Sequence, residues 1–176
     1  MLKKLYNIFY QNLICSDLKK KNNYLIKQGA KIGKGTRILS KISSFTPEPY
    51  LIEIGENCLI STEVVLMTHD GGIKVLDDLK YFEKRAVKLG TIKIGNNCFI
   101  GSRSTIMPGV KIGDNCIVGL GAIVTKDVPD NSVVVGVPAK RILSIEEYYE
   151  KNKDNVHFTA GMSTEEKRKY CEENLL

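Results

Sequence analysis

The middle of the chain repeats with a period of six residues. Aligned in sixes, it reads IGENCL-ISTEVV-LMTHDG and, after an interruption, IGNNCF-IGSRST-IMPGVK-IGDNCI-VGLGAI-VTKDVP. The first residue of each six is a large aliphatic and the fifth is usually small. The first positions are Ile54, Ile60, Leu66, Ile94, Ile100, Ile106, Ile112, Val118 and Val124. Such a period fits neither an amphipathic helix, with about 3.6 residues per turn, nor hairpins with turns roughly every 8–12 residues.

A three-sided coil explains this period. Each side takes six residues, the first-position aliphatic points into the prism, and successive coils stack at the strand spacing of about 4.8 Å. Residues 32–43 predict an earlier, less regular coil. Glycine often follows at the second position, which predicts a backbone with positive φ at Gly55, Gly95, Gly101, Gly113 and Gly119. The sequence therefore predicts an all-β solenoid whose two ends need covers.

The repeat loses its register between Leu66 and Ile94, so a loop over residues 67–91 must leave the prism wall. His69, at the root of this loop, is the only histidine among the first 156 residues. Long loops in a compact domain are usually functional or disordered. The predicted organisation is an N-terminal helical cap (1–28), a β-helix domain (29–142) and a C-terminal helical tail (143–176). In the tail, a short helix is predicted near residues 146–151 and a capped one from Ser163 to Asn174.

The N-terminal segment predicts an amphipathic helix, because its apolar residues fall at helical spacing. They are Leu2, Leu5, Tyr6, Phe9 and Leu13. This helix packs on the domain as a cap or, alternatively, rests on a membrane surface. No apolar run approaches the roughly 18 residues that a membrane span needs, and the start does not resemble a signal peptide. We therefore expect a cytoplasmic protein.

Charge and cysteine content exclude several classes of function. The net charge of +6 favours an anionic partner, but no basic patch interleaved with aromatic residues indicates nucleic acid. Cys58, Cys98 and Cys116 share the fifth position and predict small fillers of the prism interior. Five cysteines without a C-x-x-C pair, together with two histidines, predict neither a metal site nor a disulfide framework. His157, in the charged tail, is expected to be exposed and without a partner.

Residues 92–142 read IKIGNNCFIGSRSTIMPGVKIGDNCIVGLGAIVTKDVPDNSVVVGVPAKRI, and their last third is the most specific part. With the Thr68-His69 pair, this stretch resembles the hexapeptide-repeat acyltransferases. It is most similar to the maltose and galactoside O-acetyltransferases and to their relatives in capsule and lipopolysaccharide synthesis. The resemblance implies a left-handed parallel β-helix, a homotrimer, and acetyl-CoA as co-substrate in the groove between neighbouring prisms.

The resemblance also implies roles for particular residues. His69 matches the general base. Ser102 matches a backbone N–H donor to the thioester carbonyl, and Leu120 a main-chain contact with pantetheine. Thr125, Lys126 and Lys140, with Arg141 as an additional phosphate contact, match the nucleotide end. An imidazole, with an ordinary pKa of about 6.5, suits proton abstraction at neutral pH.

Each of these residues also has a simpler interpretation. His69 alone would be read as a solvated loop histidine, and Lys126 and Lys140 as surface lysines. Asp70 either orients the histidine ring or forms a turn beside Gly71-Gly72. The acceptor segment departs from the sugar enzymes, because SKISSFTPEPYLIEIG offers only Glu48 and Glu53 as acids. Glu48 and Asp70 are therefore candidate acceptor-binding residues, and the acceptor itself stays open.

The expected activity is transfer of acetyl from acetyl-CoA to a hydroxyl of a sugar, sugar nucleotide or polysaccharide precursor. An antibiotic- or amino-sugar-modifying acetyltransferase of the same fold is the alternative, and a non-catalytic scaffold is a further one. The zinc carbonic anhydrases that share the fold need three histidine ligands. This chain has one histidine in the prism region, so that activity is excluded.

Overall fold

The computed structural model describes residues 17–45 and 47–176. The predicted amphipathic helix over Leu2–Leu13, with its membrane-surface alternative, lies outside the described residues. The strands are β1 (Lys31–Ile32), β2 (Arg37–Ile38), β3 (Ile52–Ile54), β4 (Leu59–Ile60), β5 (Val65–Leu66), β6 (His69–Asp70), β7 (Lys88–Leu89), β8 (Ile92–Ile94), β9 (Phe99–Ile100), β10 (Thr105–Ile106), β11 (Lys111–Ile112), β12 (Ile117–Val118), β13 (Ile123–Val124), β14 (Ser132–Val135) and β15 (Lys140–Ser144). The helices are α1 (Leu18–Lys27), α2 (Ile73–Asp78), α3 (Ile145–Asn152) and α4 (Thr164–Asn174).

Short parallel strands form three sheets that we number as the faces of the prism. Face one contains β1, β3, β8 and β11, and face two contains β2, β4, β9, β12 and β14, with β15 added antiparallel at its end. Face three contains β5, β10 and β13, extended by a bridge from Phe45 to Leu66. The chain visits the faces in order, so the first corner joins faces one and two, the second corner joins faces two and three, and the third corner leads back to face one.

The interior of the prism is filled as the six-residue repeat predicts. All nine first-position aliphatics are at most 2% exposed. The fifth-position residues are buried as well, including Cys58, Cys98 and Cys116. These thiols also donate hydrogen bonds to carbonyl oxygens of the next coil, at 3.0 Å from Cys58 to Gly95 and 3.1 Å from Cys98 to Gly113. The thiols are therefore both fillers and links between coils.

The second-position glycines do not have the positive φ expected of them. The left-handed conformation occurs two residues later, at Asn57, Asn97 and Asn115 with φ of 54–55°. Asparagine tolerates this region, and the Asn97 side chain also donates to that of Asn115 at 3.0 Å. Glycine is needed at the second position because the next coil passes too close for a side chain. A Cβ on Gly95 would lie 2.7 Å from the Gly113 backbone.

Helix α1 packs against β1 and β2 at the N-terminal end of the prism. Each coil donates its backbone N–H groups to carbonyls of the following coil, so the carbonyls of the first coil point out of the stack. The Lys21 side chain, 2% exposed, donates to three of them: Ile38 at 3.1 Å, Leu39 at 3.3 Å and Ser40 at 2.8 Å. Asn22 donates to the Thr36 carbonyl at 2.8 Å. Two side chains of one helix thus satisfy acceptors that no further coil reaches.

The C-terminal segment contains both predicted helices. Each helix begins with a capping box. It is formed by Ser144 and Glu147 in α3 and by Ser163 and Glu166 in α4. Strand β15 passes through the expected boundary at residue 142 and ends at Ser144. His157 does have a partner, contrary to expectation. Its Nδ1 lies 3.0 Å from the Tyr170 hydroxyl, because the chain turns back to bring α4 alongside it.

Candidate active site

The interruption of the repeat is an ordered excursion from the third corner. Strands β6 and β7 pair antiparallel at its base, and the unpredicted helix α2 lies between them. Gly90 closes the excursion by donating its N–H to the Thr68 carbonyl at 2.8 Å. The excursion therefore holds its first residues, including His69, in a fixed place beside the prism.

The ring of His69 lies next to a carboxylate from the preceding coil. Its Nδ1 is 3.1 Å from Oε2 of Glu48, and the Thr68 hydroxyl donates to the same oxygen at 2.6 Å. The His69 side chain is 31% exposed and that of Glu48 17%, so the contact is partly shielded from solvent. Glu48 precedes a short 3₁₀ turn (Pro49–Leu51), which occupies the third corner of the first coil.

The electrostatics of this contact fix the orientation of the ring. The Thr68 hydrogen bond is the largest influence on Glu48, and with the contact to His69 it lowers the pKa of the Glu48 carboxyl despite its partial desolvation. An ionised carboxylate only accepts hydrogen bonds, so Nδ1 of His69 carries the proton. In the neutral imidazole, Nε2 then holds the lone pair. The ring is thus arranged with its basic nitrogen on the side away from Glu48.

Asp70 does not orient the ring. Its Oδ1 accepts from the Gly72 N–H at 2.9 Å, and its Oδ2 lies 3.3 Å from Lys88 Nζ. Both hydrogen bonds lower the pKa of the Asp70 carboxyl, and the bond from Gly72 has the larger effect. Of the two interpretations of Asp70, the geometry supports the turn former. Glu48, expected to bind the acceptor, lies instead against the ring, and Thr68, which entered the sequence-based prediction only as part of the Thr68-His69 pair, donates to the same carboxylate.

The second corner brings together four of the six residues matched to the cofactor. Ser102 and Leu120 occupy equivalent turns of successive coils, and Gly121 donates to the Ser102 carbonyl at 2.9 Å. Lys140 pairs with Val135 at the same corner one coil further, followed by Arg141 opposite Val134. Leu120 is 74% exposed, while Lys140 and Arg141 are exposed. Within the described residues, the backbone N–H groups of Ser102 and Leu120 make no hydrogen bond.

Thr125 and Lys126 lie elsewhere, at the third corner two coils beyond His69. Both are exposed, and Lys126 forms no ion pair within the described part of the chain. Face three therefore separates the two groups of candidate residues. His69, Thr125 and Lys126 border one edge, and Ser102, Leu120 and Lys140 border the other. One prism alone does not bring His69 next to Ser102.

None of the helices in residues 17–45 and 47–176 combines the length and apolar character needed to cross a lipid bilayer.

Comparison with known proteins places this architecture in a family. The family model described as the hexapeptide repeat of succinyl-transferase matches residues 91–126. Protein CapG of Staphylococcus aureus is 45% identical over 148 residues, which are 82% of this chain and 83% of that protein. The galactoside O-acetyltransferase of Escherichia coli K12 is 38% identical over 128 residues, which are 70% of this chain and 61% of that enzyme.

A solved galactoside acetyltransferase in complex with coenzyme A has a TM-score of 0.57 and 28% identity to this chain. The match covers 81% of this chain and 76% of that one. It implies that the three-sided coil predicted from the repeat is a left-handed β-helix, as the resemblance implied. The chain belongs to the hexapeptide-repeat acetyltransferase family and is an acyltransferase.

Proposed function

We propose that the protein transfers an acetyl group from acetyl-CoA to a hydroxyl of a sugar, sugar nucleotide or polysaccharide precursor, with His69 as general base. The observation that carries the proposal is the 3.1 Å contact between Nδ1 of His69 and Glu48, because it leaves Nε2 available for a proton. Glu48 is a positioning residue in this scheme, and it stabilises the imidazolium that forms during the reaction. The coenzyme A complex of the galactoside acetyltransferase and the identity to the E. coli enzyme support the donor and the acceptor class.

His69 Nε2 removes the proton of the acceptor hydroxyl as its oxygen attacks the thioester carbonyl. The free Ser102 N–H donates to the oxyanion that develops there, a type of contact worth roughly 3–4 kcal/mol in other enzymes. When the carbon–sulfur bond breaks, the imidazolium of His69 returns its proton to the departing thiolate. The products are an O-acetyl ester and free coenzyme A, and His69 is again neutral.

The separation of the candidate residues supports a homotrimer. His69 and Ser102 border opposite edges of face three, so a reacting centre between them needs the second corner of a neighbouring prism. Acetyl-CoA would lie in that groove, with Leu120 along the pantetheine arm. Thr125, Lys126, Lys140 and Arg141 would contact the nucleotide end. The cations Lys126, Lys140 and Arg141 fit its phosphates, and neither lysine has an ion-pair partner among the described residues.

Helix α1 and the segment from β15 onward serve as the end caps of the prism in this proposal. The Lys21 bonds to three outward-facing carbonyls support the first cap. We place the reaction in the cytoplasm, because the thiols of Cys58, Cys98 and Cys116 are free and buried, as suits a reducing compartment.

The test measures thiol release from acetyl-CoA with a panel of sugars, sugar nucleotides and amine acceptors. His69→Ala should lower kcat roughly 10²–10⁴-fold, the range for loss of a general base. The KM for acetyl-CoA and the melting temperature should change little, because the base is not a core residue. Lys84→Ala, in the exposed part of the excursion, is the matched control. Near-normal turnover by His69→Ala, or turnover of amines alone, would refute the proposal, and a stable monomer by light scattering would refute the shared site.

A further inference from the structure

The excursion contains a cavity that opens beside His69. It has a volume of about 390 Å³ and lies between α2 and residues 85–87. Its lining includes His69, Asp70, Lys74, Asp77, Arg85 and Val87. Ligand pockets usually measure about 300–1,000 Å³, so the cavity is large enough for a small ligand. It opens beside His69, where an acceptor would meet the base.

The carboxylates of this cavity are already engaged by the protein. Asp70 is held by the Gly72 N–H and by Lys88. Both oxygens of Asp77 accept from the Ala86 N–H, at 3.0 and 3.1 Å. The bond from Ala86 ties residues 85–87 to helix α2 and thereby holds Arg85 at the cavity wall.

Two cations line the cavity, Lys74 and Arg85, and they differ in their partners. Lys74 pairs with Asp78 and Lys88 with Asp70. Arg85 lines the cavity but makes no ion pair or side-chain hydrogen bond within the described residues. A guanidinium presents five N–H donors in a planar fork that matches a carboxylate or phosphate. The net charge of +6 is also favourable for anionic substrates.

We infer that the acceptor is an anionic saccharide, whose carboxylate or phosphate is bound by Arg85 while its hydroxyl faces His69. This inference rests on the proposed function and narrows its acceptor class. Arg85 determines specificity, and Asp77 acts through it as a positioning residue. Arg85 is exposed, and a neutral sugar lacks the charge-assisted contact that an anionic group makes with it, so the site favours acceptors by charge as well as by shape.

Matched acceptor pairs test the inference. The rates with glucose, glucuronate and glucose 1-phosphate are compared, and likewise with galactose, galacturonate and galactose 1-phosphate. The wild type should show kcat/KM roughly tenfold or more higher for one anionic form than for the neutral sugar, since a hydrogen bond to a charged group is involved. The carboxylate and phosphate arms identify which anion is bound. Arg85→Ala should abolish the preference chiefly through KM, Arg85→Lys should retain part of it, and Lys84→Ala should keep it.

Saturation-transfer NMR of the same sugars reports binding without turnover. Signals from the preferred anion that weaken in Arg85→Ala support the inference. Equal kcat/KM for neutral and anionic sugars, or a preference that survives in Arg85→Ala, would overturn it and leave the proposed function intact. If no sugar is acetylated while amines are, the proposed function fails, and anion binding that is unchanged in Arg85→Ala would then remove this inference too.

Discussion

Glu48 and His69 contact each other from two successive coils of the prism, with Oε2 of the glutamate 3.1 Å from Nδ1 of the histidine. The two residues are 21 positions apart in the sequence. They are neighbours in space because the coils stack. The segment around Glu48 and the excursion around His69 leave the same corner of the prism in successive coils. Thr68 shares the carboxylate and so links both side chains to the prism wall.

We expect Glu48→Gln to lower kcat roughly 10- to 100-fold, as observed when orienting partners are lost in other sites. Glutamine keeps the shape of the side chain but removes the negative charge that favours the imidazolium. The KM for acetyl-CoA should stay near the wild-type value. A variant with full kcat would show that Glu48 has no positioning role.

Acid stability provides a second test of the same carboxyl. The Thr68 hydrogen bond lowers the pKa of Glu48 below the ordinary value of 4.5. A lowered folded-state pKa contributes stability above the unfolded value, and this contribution is lost as the pH falls through the folded pKa. The difference in unfolding free energy between wild type and Glu48→Gln should therefore shrink as the pH falls below 4.5. Denaturant unfolding at several pH values measures it.

Glu83→Gln, in the exposed part of the excursion, controls for the loss of one negative charge. A stability difference for Glu48→Gln that does not change with pH would contradict the lowered pKa of Glu48.

Much of the prism is predictable from the sequence because one period determines it. The aliphatic first positions and the small fifth positions need only a stacked coil to be buried, and Ile94 or Cys98 could be placed without knowing any other contact. The positive φ at Asn97 was not predicted, because the second-position glycines were expected to be the residues with positive φ. Its actual constraint is the close approach of the next coil, which a single sequence does not display.

The contacts around the site were less predictable for a related reason. The period is lost between Ile42 and Ile52, so no register predicts where Glu48 lies relative to His69. Helix α2 is only six residues long and has no side-chain cap, which leaves little signal within a charged loop. In the sequence, Lys21 is one of several lysines in a basic segment. Its role depends on the carbonyl groups at the end of the prism, which only the structure shows. The positions of Glu48, helix α2 and Lys21 each depend on a local partner that lies outside the repeat.

The root of the excursion provides a stability prediction with an internal control. A Cβ on Gly90 would lie 2.4 Å from the Gly109 nitrogen and 2.7 Å from the Pro108 carbonyl carbon. Because backbone atoms cannot swing aside, Gly90→Ala should cost about 1–3 kcal/mol, the usual range for overpacking. Gly71→Ala should cost much less, since nothing lies within 4 Å of its added Cβ. Thermal unfolding of both variants checks the difference, and equal melting temperatures would contradict the close packing at Gly90.

The lysines proposed to bind the nucleotide provide the last prediction. Lys126 and Lys140 are exposed and have no ion-pair partner among the described residues, so replacing both by glutamine should leave stability almost unchanged. The KM for acetyl-CoA should rise roughly three- to tenfold, which corresponds to two exposed charge pairs. Acceptor KM should stay the same, because neither lysine lines the cavity beside His69. The penalty should shrink at high ionic strength, since salt screens exposed charges.

The control for this double variant replaces Lys27 and Lys34, which are also exposed but lie at the opposite end of the prism. The control removes the same net charge, and it leaves the residues along both edges of face three unchanged in every coil after the first. A KM for acetyl-CoA that rises equally in both double variants would reflect only the general field of a basic protein. An unchanged KM in Lys126→Gln/Lys140→Gln would mean that the nucleotide binds elsewhere. Only a rise confined to that variant and reduced by salt supports a groove that runs from His69 toward the last coils.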